Sequence, residues 1–230
     1  MVPAAGDPGY APSMCNEFAR RMTPDQLRSG WGATGGQLLF PEGVSNMPAL
    51  DSIRITDSSV ILRASAAEAV AAEAVTRRWS WPGPRGKPVY NFRSDGREFE
   101  NKATSGRCLI PADGFYEYTD PVAGEGGTPA DLFGAVPAKP TKKPPKAKWE
   151  FSMPGLGWFC IAGLWRADEQ VGEAWTMLTT EPGPDIAPYH DRQIVLVTPR
   201  DYTRWLSGEA PAAEICRPLP AGTLAVKRVR

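Results

Sequence analysis

One cysteine near the start of the chain, in Met14-Cys15-Asn16-Glu17-Phe18, has a chemistry that depends on what precedes it. Within a chain, cysteine is most often a small buried hydrophobe. At an N-terminus its free α-amine and its thiol sit on adjacent carbons, forming a 1,2-aminothiol. The amine captures an aldehyde as a Schiff base, and the sulfur then closes a five-membered thiazolidine. Reference pKa values of about 7.7–8.0 for the amine and about 8.5 for the thiol leave usable fractions of both nucleophiles near neutrality. An internal cysteine has only an amide nitrogen in that place. We expect Cys15 to be the first residue of the working protein. Residues 1–13, MVPAAGDPGYAPS, read as a disordered leader that is either not translated or removed.

Other side chains suited to proton transfer or anion binding are scattered along the chain. Glu117 alternates with Tyr116 and Tyr118, two residues after Phe115. A carboxylate among aromatics is partly desolvated, which raises its pKa toward a range useful for acid–base work. The plain alternative is a glutamate exposed on an edge strand. His190, the single histidine, lies between Tyr189 and Asp191-Arg192. Any imidazole mechanism rests on it, although a lone histidine commonly serves structure alone. Asn91 shares a loop with Arg93, and an amide that donates and accepts at once suits an amine or a ring oxygen. Arg93 and Arg192 can each grip a phosphate with paired hydrogen bonds.

The 230 residues are enough for one domain with a substantial core. Formal net charge is zero, so any binding of nucleic acid needs a local basic patch. No apolar run approaches the roughly 20 residues of a membrane span, and the leader lacks both parts of a signal peptide. Cys15, Cys108, Cys160 and Cys216 are widely scattered with no C-x-x-C pair. That spacing points to reduced thiols in the cytoplasm and to no metal site.

Thr23-Pro24-Asp25 opens a helix that should stop near Gly30. Ile53–Arg63 alternates as a strand or hairpin around Asp57-Ser58-Ser59. Residues 64–75 are ambiguous between helix and strand, with strand expected from about Ala74. Pro88–Ser94 reads as a polar loop. Residues 107–118 read as two short strands hinged at Pro111-Ala112-Asp113-Gly114. Residues 119–148 form a Gly/Pro/Lys-rich insertion with little to bury, expected as a mobile surface loop. Strands resume at 149–153, 158–165, 174–180 and 193–197. A helix then runs from Thr198 to Trp205, and a strand near 224–229 ends the chain. Several strands without regularly interposed helices predict an α+β domain over 14–230, a curved, mostly antiparallel sheet or partial β-barrel with a few flanking helices.

MCNEF, NFRS, RCLIPADGFYEY and LTTEPGPDIAPYHDR, in that order, resemble the SOS response-associated peptidase (SRAP) family from Met14 to about Pro220. The R-C-L-I-P-A-x-G-F-Y-E and H-x-R blocks carry most of the specificity. The resemblance implies a protein that shields abasic sites in single-stranded DNA through a thiazolidine on its N-terminal cysteine. Cys15 then matches the crosslinking residue, and Asn91, Glu117 and His190 match the other catalytic residues. Arg93, Arg192 and Thr179 match DNA-binding positions. Trp79 and Trp81 fall where the family has aromatics near DNA, core packing being the plain alternative. Abasic-site lyase activity and self-release of the initiating methionine are also implied, although an ordinary aminopeptidase would expose Cys15 equally well. No cofactor is expected, and a monomer working in the cytoplasm at the nucleoid follows. The chain departs from the family at Asn91-Phe92-Arg93, usually N-A-R, at Cys15-Asn16-Glu17, usually C-G-R, and at Gln193-Ile194, usually M-P. Two rivals stay open: a thiol peptidase or amidase using Cys15, His190 and Asn91, and a single-strand binder that forms no covalent bond.

Overall fold

The computed structural model describes residues 15–44, 46–65, 71–121 and 145–230. The leader and residues 122–144 of the insertion lie outside them. Two sheets organise the chain as an α+β fold. The smaller has five strands in the order Ala225–Arg228, Ala147–Ser152, Gly114–Thr119, Glu17–Arg20 and Leu50–Arg54. The larger follows Gln193–Ile194, Gly172–Thr180, Phe159–Asp168, Ser105–Ala112, Ser58–Ala64, Ala71–Trp79 and Gln37–Leu39. Asn91–Arg93 adds in parallel beside Met177–Thr179. Trp79 also pairs with Trp175, so the larger sheet curls back toward itself without becoming a regular barrel.

The Pro-Ala-Asp-Gly hinge carries the chain from one sheet to the other. Ser105–Ala112 lies deep in the larger sheet, and Gly114–Thr119 continues in the smaller one. Gly114 suits the turn, because a Cβ there would come 3.0 Å from Glu150 Oε1. Leu50–Arg54 and Ser58–Ala64 likewise go to different sheets, so the expected hairpin around Asp57 does not form. A strand begins at Ala71, earlier than expected, and the expected polar loop at 88–94 contains Pro88–Val89 and Asn91–Arg93 as short strands. The expected strand 193–197 is broken at Val195. Val195 donates to Leu178 O and accepts from Ala162, tying two neighbouring strands together.

The first helix, Pro24–Gly32, starts as its sequence dictates. Thr23 accepts from the Gln26 backbone N–H at 3.2 Å, and the Gln26 side chain accepts from the Thr23 N–H at 2.8 Å. This reciprocal box satisfies two donors that the first turn otherwise leaves open. Leu27 and Trp31 then pack into the core. The second helix, Tyr202–Ser207, follows a single 3-10 turn at Pro199–Asp201 and buries Tyr202, Trp205 and Leu206. It ends at Gly208, whose φ of 79° is open to glycine at little cost. Among the described residues, no helix is long and apolar enough to cross a membrane.

A second hydrophobic cluster packs around the segment that begins at Cys15. Trp79 stacks on Trp175 at 5.3 Å, with Phe18 edge-on to both at 5.5 and 6.0 Å. Phe18 therefore anchors the segment that carries Cys15. Thr23→Ala should cost about 1 kcal/mol of unfolding free energy through loss of the cap, read as a lower denaturant midpoint with an unchanged slope.

Candidate active site

Cys15 sits immediately before the strand Glu17–Arg20, buried among the residues around Phe18 and Phe115. Its backbone N–H donates to the Glu117 carboxyl group. Its carbonyl accepts from Asn91 Nδ2 at 3.1 Å. Its thiol lies 3.5 Å from the Glu17 carbonyl oxygen. One residue from each sheet therefore holds the Cys15 backbone, since Glu117 belongs to the smaller and Asn91 to the larger. Asn91 Oδ1 is buried without a partner.

Glu117 is 1% exposed. Burial pushes its carboxyl group up to about 8, and the nearby charge of Asp191 pushes the same way. The hydrogen bond from Cys15 opposes both and does not win. Burial also lifts the Cys15 thiol well above its usual value, with the Glu117 charge adding to the effect. The thiol is thus protonated near neutrality and is a poor first nucleophile.

His190 lies in a turn whose backbone N–H bonds to Ile186 O at 3.0 Å. Its Nδ1 is 3.0 Å from the Arg192 backbone N–H and 2.9 Å from Asp191 Oδ1. A backbone N–H can only donate, so that contact requires a lone pair on Nδ1. Asp191 is largely exposed, and its carboxylate would bond Nδ1 only with a proton on that atom. Nε2 is buried and has no partner among the described residues, so it is open to a guest.

Asn91–Arg93 and Met177–Thr179 run side by side, with Asn91 opposite Met177 and Arg93 opposite Thr179. The Arg192 guanidinium reaches Thr179 O at 3.1 Å and Thr179 Oγ1 at 3.4 Å. It also forms a two-pronged pair with Asp95, at 3.1 and 2.5 Å. Arg192 holds the Asp95 carboxyl group below its usual range. Arg93 is exposed on the same short strand. The two tryptophans are placed differently from the resemblance. Trp79 is fully enclosed, with its ring against Trp175 and Phe18 and its Nε1 on Tyr90 O at 2.9 Å, so neither face can take a base. Trp81 is 7% exposed and lies under the Arg166 guanidinium at 4.6 Å. It borders a cavity of about 330 Å³ with Phe99 and Trp165 that none of Cys15, Asn91, Glu117 or His190 lines.

Sequence reasoning missed Asp95 and the cluster around Glu17. Burial alone would raise the Glu17 carboxyl group, but bonds from Ser52, Tyr118 and Lys148 outweigh it and pull it down to about 2. Lys148 stands 2.9 Å away, and Arg54 adds a contact at 3.5 Å. Glu17 and Lys148 are 131 residues apart in the sequence, so no local spacing could pair them. Among the described residues, no three His, Cys, Asp or Glu side chains come together as a metal site.

Two curled sheets that clasp one cysteine backbone between a buried glutamate and an asparagine place the chain in a definable class. The chain belongs to the SOS response associated peptidase (SRAP) family, whose model matches residues 14–230. A protein of known structure from Bordetella bronchiseptica is 22% identical, with a TM-score of 0.64 over 94% of this chain and 100% of that one. One from Bacteroides thetaiotaomicron is 16% identical, with a TM-score of 0.63 over 94% and 92%. A phage-related protein from Bordetella bronchiseptica is 18% identical, with a TM-score of 0.60 over 94% of each. These similarities establish the fold. No curated protein matches the sequence.

The raised Glu117 carboxyl group has a defined effect on stability. Its folded pKa of about 8 lies above its ordinary 4.5, so the folded state binds the proton more tightly. Its contribution is fully present below the lower value and is lost as pH rises through the higher. Glu117→Gln should therefore gain stability relative to the parent protein between about pH 5 and 8, checked by denaturant unfolding across that range.

Proposed function

We propose that the protein, with Cys15 as its first residue, captures the aldehyde of an abasic site in single-stranded DNA as a thiazolidine and so shields the lesion. The observation that carries this reading is the Cys15 nitrogen on Glu117. Loss of the preceding residues converts that amide into an α-amine with no need to move it. Most of the entropy of bringing amine and acid together is then already spent in folding.

The protons balance along a short route. The abasic sugar is mostly a cyclic hemiacetal. As the ring opens, Glu117 gives its proton to the ring oxygen and takes the hydroxyl proton in return, with His190 Nε2 hydrogen-bonded to that oxygen. The amine adds to the aldehyde carbon, a proton passing from nitrogen to oxygen, and the resulting carbinolamine loses water as Glu117 gives a proton to the departing hydroxyl and takes one from nitrogen. The Cys15 thiol then adds across the C=N bond, its hydrogen passing to nitrogen. Aldehyde and aminothiol thus give thiazolidine and one water. The raised thiol pKa fits this amine-first order. A thiol peptidase is disfavoured for the same reason, since it needs a thiolate first. The same Schiff base, if its neighbouring carbon loses a proton, supports strand cleavage by β-elimination.

Arg93 and Arg192 are assigned to flanking phosphates. Asp95 occupies Arg192 when DNA is absent. Asp95→Asn should tighten binding to undamaged single-stranded DNA and steepen its salt dependence by about one unit, measured by fluorescence anisotropy over a salt series.

Protein beginning at Cys15 should form a heat-stable band on a denaturing gel with single-stranded DNA carrying one abasic site. Cys15→Ala, or protein retaining Met14, should form none. A band that persists in either variant would remove the aminothiol from the mechanism.

A further inference from the structure

Glu117, Trp149 and Arg228 stand directly opposite one another on three adjacent antiparallel strands. Directly opposed residues of such a ladder share a face. The row two residues along, Phe115, Phe151 and Val226, lies on that face too. Phe115 and Phe151 are completely buried, so there the face looks into the molecule. The Glu117 row marks where it opens. It begins at a buried carboxyl group, continues through partly buried Trp149, and ends at exposed Arg228 on the outermost strand. Two contacts fix the angle of the indole. Trp149 Nε1 donates to Thr119 Oγ1 at 2.9 Å, and Tyr189, next to His190, meets the ring edge-on at 4.9 Å. The Arg228 guanidinium lies 5.8 Å from the Trp149 ring centroid.

We propose that Trp149, Tyr189 and Arg228 form a subsite for the nucleotide next to the abasic residue in single-stranded DNA, its base on Trp149 and its phosphate on Arg228. The assignment rests on the abasic-site reading above. A held aromatic ring beside a cation is what sequence-tolerant binding of an unpaired base and its phosphate requires. With zero net charge over the chain, affinity for a polyanion has to come from local pairings of this kind. Location also argues for it. Arg93, Thr179 and Arg192 sit with the larger sheet, whereas Trp149 and Arg228 belong to the smaller. Cys15 is gripped from both sheets, so the two groups address opposite flanks of the lesion.

The test uses protein beginning at Cys15 and compares Arg228→Gln, Trp149→Leu and Trp149→Phe with the parent. Crosslinking rate is followed against oligonucleotide concentration for strands with the abasic residue central, near the 5′ end or near the 3′ end. Affinity for an undamaged strand is measured by anisotropy at several salt concentrations. Arg228→Gln and Trp149→Leu should raise the half-saturating concentration roughly three- to tenfold and leave the saturated rate unchanged. The penalty should disappear for one of the two end-placed substrates. Trp149→Phe, which keeps a stacking face, should recover most of the loss, and Arg228→Gln should lower the salt slope by about one. Parent-like half-saturation and undamaged-strand affinity in both Arg228→Gln and Trp149→Leu would overturn the subsite and leave the row as a seal on the sheet edge. Arg228 is exposed, so its variant keeps the test sound even where Trp149→Leu fails to fold. Should the parent form no adduct at all, the abasic-site reading fails. The subsite then stands or falls on the undamaged-strand affinities alone: a loss in Arg228→Gln retains it, and no loss removes it.

Discussion

Everything at the site depends on one buried hydrogen bond, from the Cys15 backbone nitrogen to the Glu117 carboxyl group. A carboxyl group this enclosed resists ionisation, because a charge there would lose its hydration. The fold tolerates the cost by keeping the group neutral over much of the physiological range. A neutral acid beside a nitrogen can give a proton as well as take one, which an ordinary surface carboxylate cannot do. An ammonium formed at that nitrogen would shift the balance toward the carboxylate. Removing the leader would therefore change the charge state of the site as well as its connectivity.

The surroundings explain how such a pair is held. Phe18 wedges against the Trp79–Trp175 stack and fixes the strand that Cys15 precedes. On the opposite face of that strand, Glu17 is tied down by Ser52, Tyr118 and Lys148. A charged carboxylate and a neutral one thus lie near each other, on residues 17 and 117 of adjoining strands, with opposite environments. Donors surround Glu17 and keep it ionised, while apolar neighbours keep Glu117 protonated.

Parts of this were legible in the sequence because they rest on local rules. The Thr23 box, the Pro-Ala-Asp-Gly hinge and the aromatic alternation around Glu117 each declare themselves within a few residues. The proposal of an aminothiol at Cys15 starts from residue type and from which residue begins the working chain. Which sheet a strand joins is not local. Leu50–Arg54 and Ser58–Ala64 look like a hairpin, yet each finds its partner elsewhere. Trp79 could be core or surface on pattern alone, and only the stack with Trp175, far along the chain, settles that its faces are covered. The grip of Asp95 on Arg192 was invisible for the same reason.

The pairing of Thr119 with Ala147 closes the hairpin that carries Glu117. Glu117 is two residues inside that closure, in register with Trp149. The register of these two strands is set by their own pairs, from Thr119 with Ala147 to Phe115 with Phe151, and so does not depend on the residues that join them. Descendants of this chain can consequently acquire new sequence between the two strands, a tether or an address, while the pairing that places Glu117 keeps its geometry.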